Sequence, residues 1–167
     1  EQAKLTAPQT GQLGYSVAIE GDVIVAGAPH YFPTYRENGG PGAAYVFRRD
    51  DHGTPNDPTD DTWPQESKLP APNPQRGQLL GISVAISGDV IVAGKPRVGD
   101  SAEVFRWNPD APGQWSHEAT LIGADTPEDW DEFGWSVDID GERVVVGAYG
   151  HDERKGAAVD ANFSTLT

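Results

Sequence analysis

The residues best suited to recognition chemistry in this chain lie in one short stretch, His30-Tyr31-Phe32-Pro33-Thr34-Tyr35-Arg36-Glu37-Asn38. Three aromatic rings offer stacking and apolar area, and Arg36 offers donors in a fixed plane. That mixture suits a binding surface better than a reaction centre. His30, Tyr31, Tyr35 and Arg36 are the candidate ligand contacts. Trp130, which flanks an acidic stretch, is a fifth.

Acidic side chains form three groups. Asp50, Asp51, Asp57, Asp60 and Asp61 form one; Asp125, Glu128, Asp129, Asp131 and Glu132 another; Asp152 and Glu153 the last. Charge runs of this kind read first as solvated surface. A calcium site needs six to eight oxygen ligands from a loop that can wrap the ion. If calcium did bind, its donors would be Asp129, Asp131, Asp138 and Asp140. Asp138 and Asp140 flank a tight turn and would not readily converge, so no cofactor is expected. The histidines at 30, 52, 117 and 151 lack metal-ligand spacing. Ser16, Ser83 and Ser136 recur, yet no glycine elbow surrounds them, so a nucleophile is not expected. No phosphate-binding Gly-x-x-x-x-Gly-Lys stretch occurs.

These serines open a repeated phrase. Ser16–Pro29 reads SVAIEGDVIVAGAP and Ser83–Pro96 reads SVAISGDVIVAGKP, differing only at Glu20/Ser87 and Ala28/Lys95. Ser136–Tyr149, SVDIDGERVVVGAY, is a weaker third copy. Self-similarity at this period marks a propeller or array. Each phrase divides at a Gly-Asp or Gly-Glu pair into two strands, the signal of a hairpin. The predicted strands are Tyr15–Ile19 with Val23–Gly27, Ile82–Ile86 with Val90–Gly94, and Trp135–Ile139 with Arg143–Gly147. Both faces of these strands are apolar, which predicts cover on both sides.

A third strand is expected at Gly42–Phe47, Ser101–Phe105 and Gly156–Val159. A fourth is expected at Trp63–Leu69 and Trp115–Leu121, and the last set has none. The opening residues 1–5 resemble the tail of a fourth strand and are assigned as an outer strand of a neighbouring or closing blade. The repeats then span about 6–69, 70–121 and 122–160. Trp63 and Trp115 share one repeat position and read as structural. Asp50–Thr62 reads as a solvated insertion.

The chain is 167 residues long and carries Lys plus Arg 12 against Asp plus Glu 26, a net charge of −14. That balance argues against nucleic acid and an anionic membrane surface as partners. Four lysines against sixteen aspartates is the bias of a high-salt protein. Cysteine is absent. No apolar run reaches the roughly 18 residues of a membrane-spanning helix, so membrane insertion is not expected.

Leu13-Gly14-Tyr15-Ser16-Val17-Ala18-Ile19, the Gly21-Asp22 turn, Val25-Ala26-Gly27-Ala28-Pro29 and Gly42-Ala43-Ala44-Tyr45-Val46-Phe47 resemble the FG-GAP repeat. This repeat builds the β-propeller of integrin α subunits, and the bacterial and archaeal branch is nearest. The third copy keeps the literal Phe133-Gly134. The resemblance implies an all-β fold of antiparallel four-stranded blades, about three of them here, as part of a six- or seven-bladed ring. It implies a non-catalytic extracellular or cell-surface recognition and adhesion scaffold, with a protein or glycan ligand on the loop face. Further blades would come from the same chain or another subunit. A carbohydrate-binding lectin is one alternative, and an accessory domain of a larger secreted hydrolase another. The departure is at the hairpins. Where integrin-type repeats carry an Asp-x-Asp-x-Asp-Gly-x-x-Asp loop, this chain has only Glu20-Gly21-Asp22, Ser87-Gly88-Asp89 and Asp140-Gly141-Glu142.

Overall fold

The computed structural model describes residues 3–7, 11–30, 40–110, 115–123, 131–150 and 156–162. Every regular element among them is a β-strand. The first sheet runs β1 (Val17–Glu20), β2 (Val23–Ala28), β3 (Ala43–Arg48) and β4 (Gln65–Pro70), antiparallel and in chain order. The second repeats that plan with β5 (Val84–Ser87), β6 (Val90–Lys95), β7 (Ser101–Trp107) and β8 (Trp115–Leu121). The third has β9 (Phe133–Asp140), β10 (Arg143–Ala148) and β11 (Ala157–Asn162). These are propeller blades.

The hairpins follow from their turn residues. Glu20 pairs with Val23, leaving a two-residue turn in which Gly21 has φ 53°. Gly88 and Gly141 repeat the geometry at φ 57° and 58°. A glycine in the first position of a two-residue turn suits the hairpin classes whose twist matches the strands. Each turn is tied to its neighbour: the Glu20 carboxylate accepts the Gly88 N–H at 2.6 Å, and Ser87 Oγ accepts that of Gly141 at 3.1 Å.

The first strands of the three blades lie side by side, β1 against β5 and β5 against β9. They are the inner strands, with β4 and β8 outermost. Between the first two blades lies one core, in which Val23, Val25, Ala44 and Val46 meet Val84, Ile91, Ala93 and Phe105. Between the second and third, Val90, Val92, Ala102 and Val104 meet Phe133, Val144 and Val146. On the far side of the first blade, Tyr45 and Phe47 are covered by Leu5, Ala7, Leu13 and Trp63.

One expectation needs correction. Cover on both faces holds for the middle blade but fails at the ends. Val17 and Ile19 are 66% and 65% exposed, whereas Val84, one blade later, is 8% exposed. On the third blade Asp138, Asp140 and Arg143 face outward and are exposed. At the first blade the difference lies in neighbours, since its strand pattern is that of the second; the third blade instead carries charge where the second has Ala85 and Val90. Residues 3–7 carry no strand, and Leu5 and Ala7 dock on the first blade.

The Asp50–Thr62 insertion is exposed over most of its length and closed by an antiparallel bridge between its end residues. Its acidic groups bind the chain locally: Asp61 takes Arg49 Nε at 2.7 Å, and Asp60 takes the Thr54 hydroxyl at 2.9 Å.

Candidate functional site

The described parts of the loops that join strand two to three, and strand four to the next blade, gather at one end. The Gly77 N–H donates to the Gly40 carbonyl at 3.2 Å, and Gly42 bridges Leu80. One blade later Asp100 Oδ2 accepts the Glu132 N–H at 3.1 Å, and Arg97 lies 4.0 Å from Glu132. In the third blade the Gly150 N–H donates to the Asp131 carbonyl at 3.1 Å. The insertion and the Gly21, Gly88 and Gly141 turns occupy the opposite end.

His30 follows β2 at this loop end, exposed, with its N–H donating to the Gly11 carbonyl at 3.2 Å. Tyr31, Tyr35, Arg36, Asp129 and Trp130 lie outside the described residues. Three aromatics that were not singled out are described here. Tyr15 and Tyr149 are exposed. Trp135 meets Tyr149 edge to face at 4.8 Å, an arrangement aromatic quadrupoles favour. Tyr15 and Trp135 stand at the same repeat position, the loop end of an inner strand, where the second blade has Ile82. That shared position is the signal by which the sequence could have paired them. Arg97 is exposed and stands at the repeat position of His30, one blade on.

Asp131 is half-buried in the loop before β9. Asp138 and Asp140 lie elsewhere, on the outward face of β9. They share an open concavity with Ile139, Arg143, Val145 and Asp160. Arg143 donates to Asp160 at 2.6 Å, and this bond, with the nearby charge of Asp140, holds its guanidinium pKa above the usual value. A fixed cation thus serves the acids on that face. Among the described residues, no group of three or more His, Asp or Glu side chains converges as a metal site would.

The family model of the FG-GAP repeat matches residues 1–47, 63–105 and 115–159. The chain belongs to the FG-GAP repeat family. Between the matched stretches lie 48–62, which holds the insertion, and 106–114, the connection from β7 to β8. No curated protein matches. Among solved structures, the computationally designed Ika4 protein shows 13% identity over 95% of this chain and 96% of that chain, at a TM-score of 0.35. So distant a likeness carries no argument.

Within the FG-GAP frame, recurring polar residues have structural tasks. Ser16 Oγ donates to the Gly81 carbonyl at 2.9 Å, and Ser83 Oγ to that of Gly134 at 3.1 Å. They tie one blade to the next. Trp115 packs between the first two blades and donates to Glu66 at 3.1 Å. Asp22 and Asp89 of the turns pair with Arg49 and Arg106.

The second FG-GAP repeat departs from the others at one buried group. Glu103 is fully buried where the first blade has Tyr45. Its carboxylate receives Lys95 Nζ at 2.6 Å, Thr120 Oγ1 at 2.6 Å and Ser101 Oγ at 3.2 Å, and shares a 2.8 Å hydrogen bond with His117 Nε2. Burial pushes its pKa up; the bonds from Lys95, Thr120 and His117 outweigh this and hold it below the usual carboxylate range. An ionised carboxylate with every lone pair engaged cannot serve as a general acid. It is a locked structural charge. Sequence reading missed it because its partners lie on three different strands.

Proposed function

We propose that this FG-GAP chain is a non-catalytic recognition and adhesion scaffold, extracellular or at a cell surface, that takes its ligand at the loop end. The observation that carries the reading is the pair Trp135 and Tyr149, with Tyr15, Arg97 and His30 at the same end. Exposed rings on a rigid β-framework, with a guanidinium nearby, supply contact area at small entropy cost. The flanking loop residues Tyr31, Tyr35, Arg36 and Trp130 belong to the same proposed surface. Of the groups most like catalytic ones, Ser16 and Ser83 are engaged in tying one blade to the next, and Glu103 in tying the strands of its own blade.

A glycan is the ligand class that the edge-to-face Trp135–Tyr149 pair favours. Sugar rings stack on aromatic faces, and neighbouring Asp131, Glu132 and Arg97 can serve hydroxyl groups. The test is binding of the purified chain to glycan and extracellular-protein arrays. Specific binding that Tyr149→Ala and Tyr35→Ala weaken would support the reading, and on the glycan array would support the sugar form of it. Turnover of any arrayed ligand would overturn it.

A further inference from the structure

The two interfaces between blades inside this chain are built from the same parts. On one side stand a serine hydroxyl, a glycine and a turn acceptor: Ser16, Gly27 and Glu20, then Ser83, Gly94 and Ser87. On the other side stand a glycine carbonyl and a turn N–H: Gly81 and Gly88, then Gly134 and Gly141. The fit is close enough that a Cβ on Gly27 or Gly94 would lie 1.9 Å from the facing carbonyl oxygen.

Among the described residues, each end of the arc carries the glycine, serine and turn groups of one half of this interface without the facing groups of the other half. The third blade keeps Ser136, Gly147 and Asp140. The three atoms nearest a Cβ on Gly147 all belong to Ser136, so among the described residues no facing carbonyl stands there. The first blade keeps Gly14 at φ +87°, the same as Gly81, with nothing within 4 Å of its Cβ position. Gly81 has the Ala43 carbonyl at 2.5 Å there. Val17 and Ile19 are open where Val84 is covered.

The strand count matches too. The third sheet has three strands among the described residues. Residues 3–7 repeat the end of a fourth strand, since Lys4-Leu5-Thr6-Ala7 matches Lys68-Leu69-Pro70-Ala71. Leu5 and Ala7 dock beside Phe47 and Trp63 as Leu69 and Ala71 dock with Phe105 and Trp115.

We propose that the occupant of both ends is a second copy of this chain. The first blade of one copy seats on the third blade of the other, with the Gly14 carbonyl on Ser136 and the Gly21 N–H on Asp140. The segment around Leu5 adds beside β11 as a fourth strand, the strand-addition mode of recognition. Two such contacts close a six-bladed ring, within the usual range of propellers. The seam differs from the internal interfaces in one respect. Asp138, Arg143 and Asp160 stand where the second blade has Ala85, Val90 and Val104, so closure buries charge and is the weaker for it.

The experiment is light scattering and sedimentation of the chain from micromolar to millimolar concentration. The expected mass is twice 17.9 kDa. Val17→Asp with Ile19→Asp, and separately Val145→Asp, alter exposed positions at opposite ends; each is expected to give a folded monomer by circular dichroism. Asp138→Ala, Arg143→Val and Asp160→Val together are expected to tighten the pair about tenfold or more. A monomer throughout, or any closed mass other than the pair, overturns the proposal. So does a Val145→Asp variant that still pairs while the Val17 and Ile19 variant does not, since that marks a symmetric contact through the first blade alone.

Discussion

Lys95 Nζ lies 2.6 Å from Glu103 Oε1, at the two positions that hold Ala28 and Tyr45 one blade earlier. The same backbone site thus tolerates either an apolar filling or a closed ionic one. Removing one member of a buried pair leaves a charge without its counter-ion, at about 3–5 kcal/mol. Lys95→Ala is therefore expected to destabilise by roughly 3 kcal/mol, because Thr120 and His117 still serve the carboxylate. Lys95→Ala with Glu103→Tyr rebuilds the first blade's pair and should recover most of that loss. Urea denaturation of the three proteins measures it; a double variant worse than the single one would contradict this.

The same group sets an acid limit. A carboxylate whose folded pKa is depressed adds stability above its unfolded pKa, about 4.3, and loses it as pH falls through the lower folded value. Melting temperature should therefore drop on acidification below that range. The gap between wild type and Glu103→Gln should narrow as it does. A gap that stays constant from neutral to strongly acid pH would show that Glu103 does not titrate as its surroundings dictate.

Gly94→Ala should separate the second and third blades. Its Cβ would meet the Gly134 carbonyl oxygen at 1.9 Å, and backbone must move. A cost of about 1–3 kcal/mol or more is expected. Gly147→Ala meets only Ser136 Oγ at 2.2 Å, a side chain that can turn away, and should cost less. Equal losses in thermal melts would argue against the close blade contact.

Most of the framework was legible because the phrase repeats. β-branched runs split by Gly21-Asp22, Gly88-Asp89 and Gly141-Glu142 fix each hairpin within two residues of its observed bounds. Ser16 and Ser83 were legible as recurring and their bonds were not, since Gly81 and Gly134 are partners only once blades stack. Exposure at Val17 and Ile19 was hidden for a similar reason. The pattern states what a face is made of, and a neighbour decides whether it is covered. In the sequence Glu103 is one charge in an apolar strand. Its meaning depends on Lys95, His117 and Thr120, which sequence distance conceals. For the site, the aromatic stretch after His30 was legible as composition alone. The Trp135–Tyr149 pair needed strand register to bring its members together.

A net charge of −14 should make stability depend on salt. Repulsion among like charges acts over the Debye length, which shortens from about 30 Å at 0.01 M to about 10 Å at 0.1 M. The melting temperature is expected to rise through that range of sodium chloride. A flat or falling response would contradict the repulsion argument and the high-salt reading of the composition.

The central claim is that the loop end recognises a ligand and the turn end does not. Array binding by two sets of variants compares them directly. Arg97→Ala, Tyr149→Ala and Trp135→Ala alter the loop end; Asp22→Ala and Asp89→Ala alter the turns at the other. The account predicts specific binding by wild type, a loss of at least about tenfold in the first set, in line with hot-spot aromatic and arginine residues, and unchanged binding in the second. Binding that survives the first set and fails in the second would contradict it, as would a wild-type chain that binds nothing on either array.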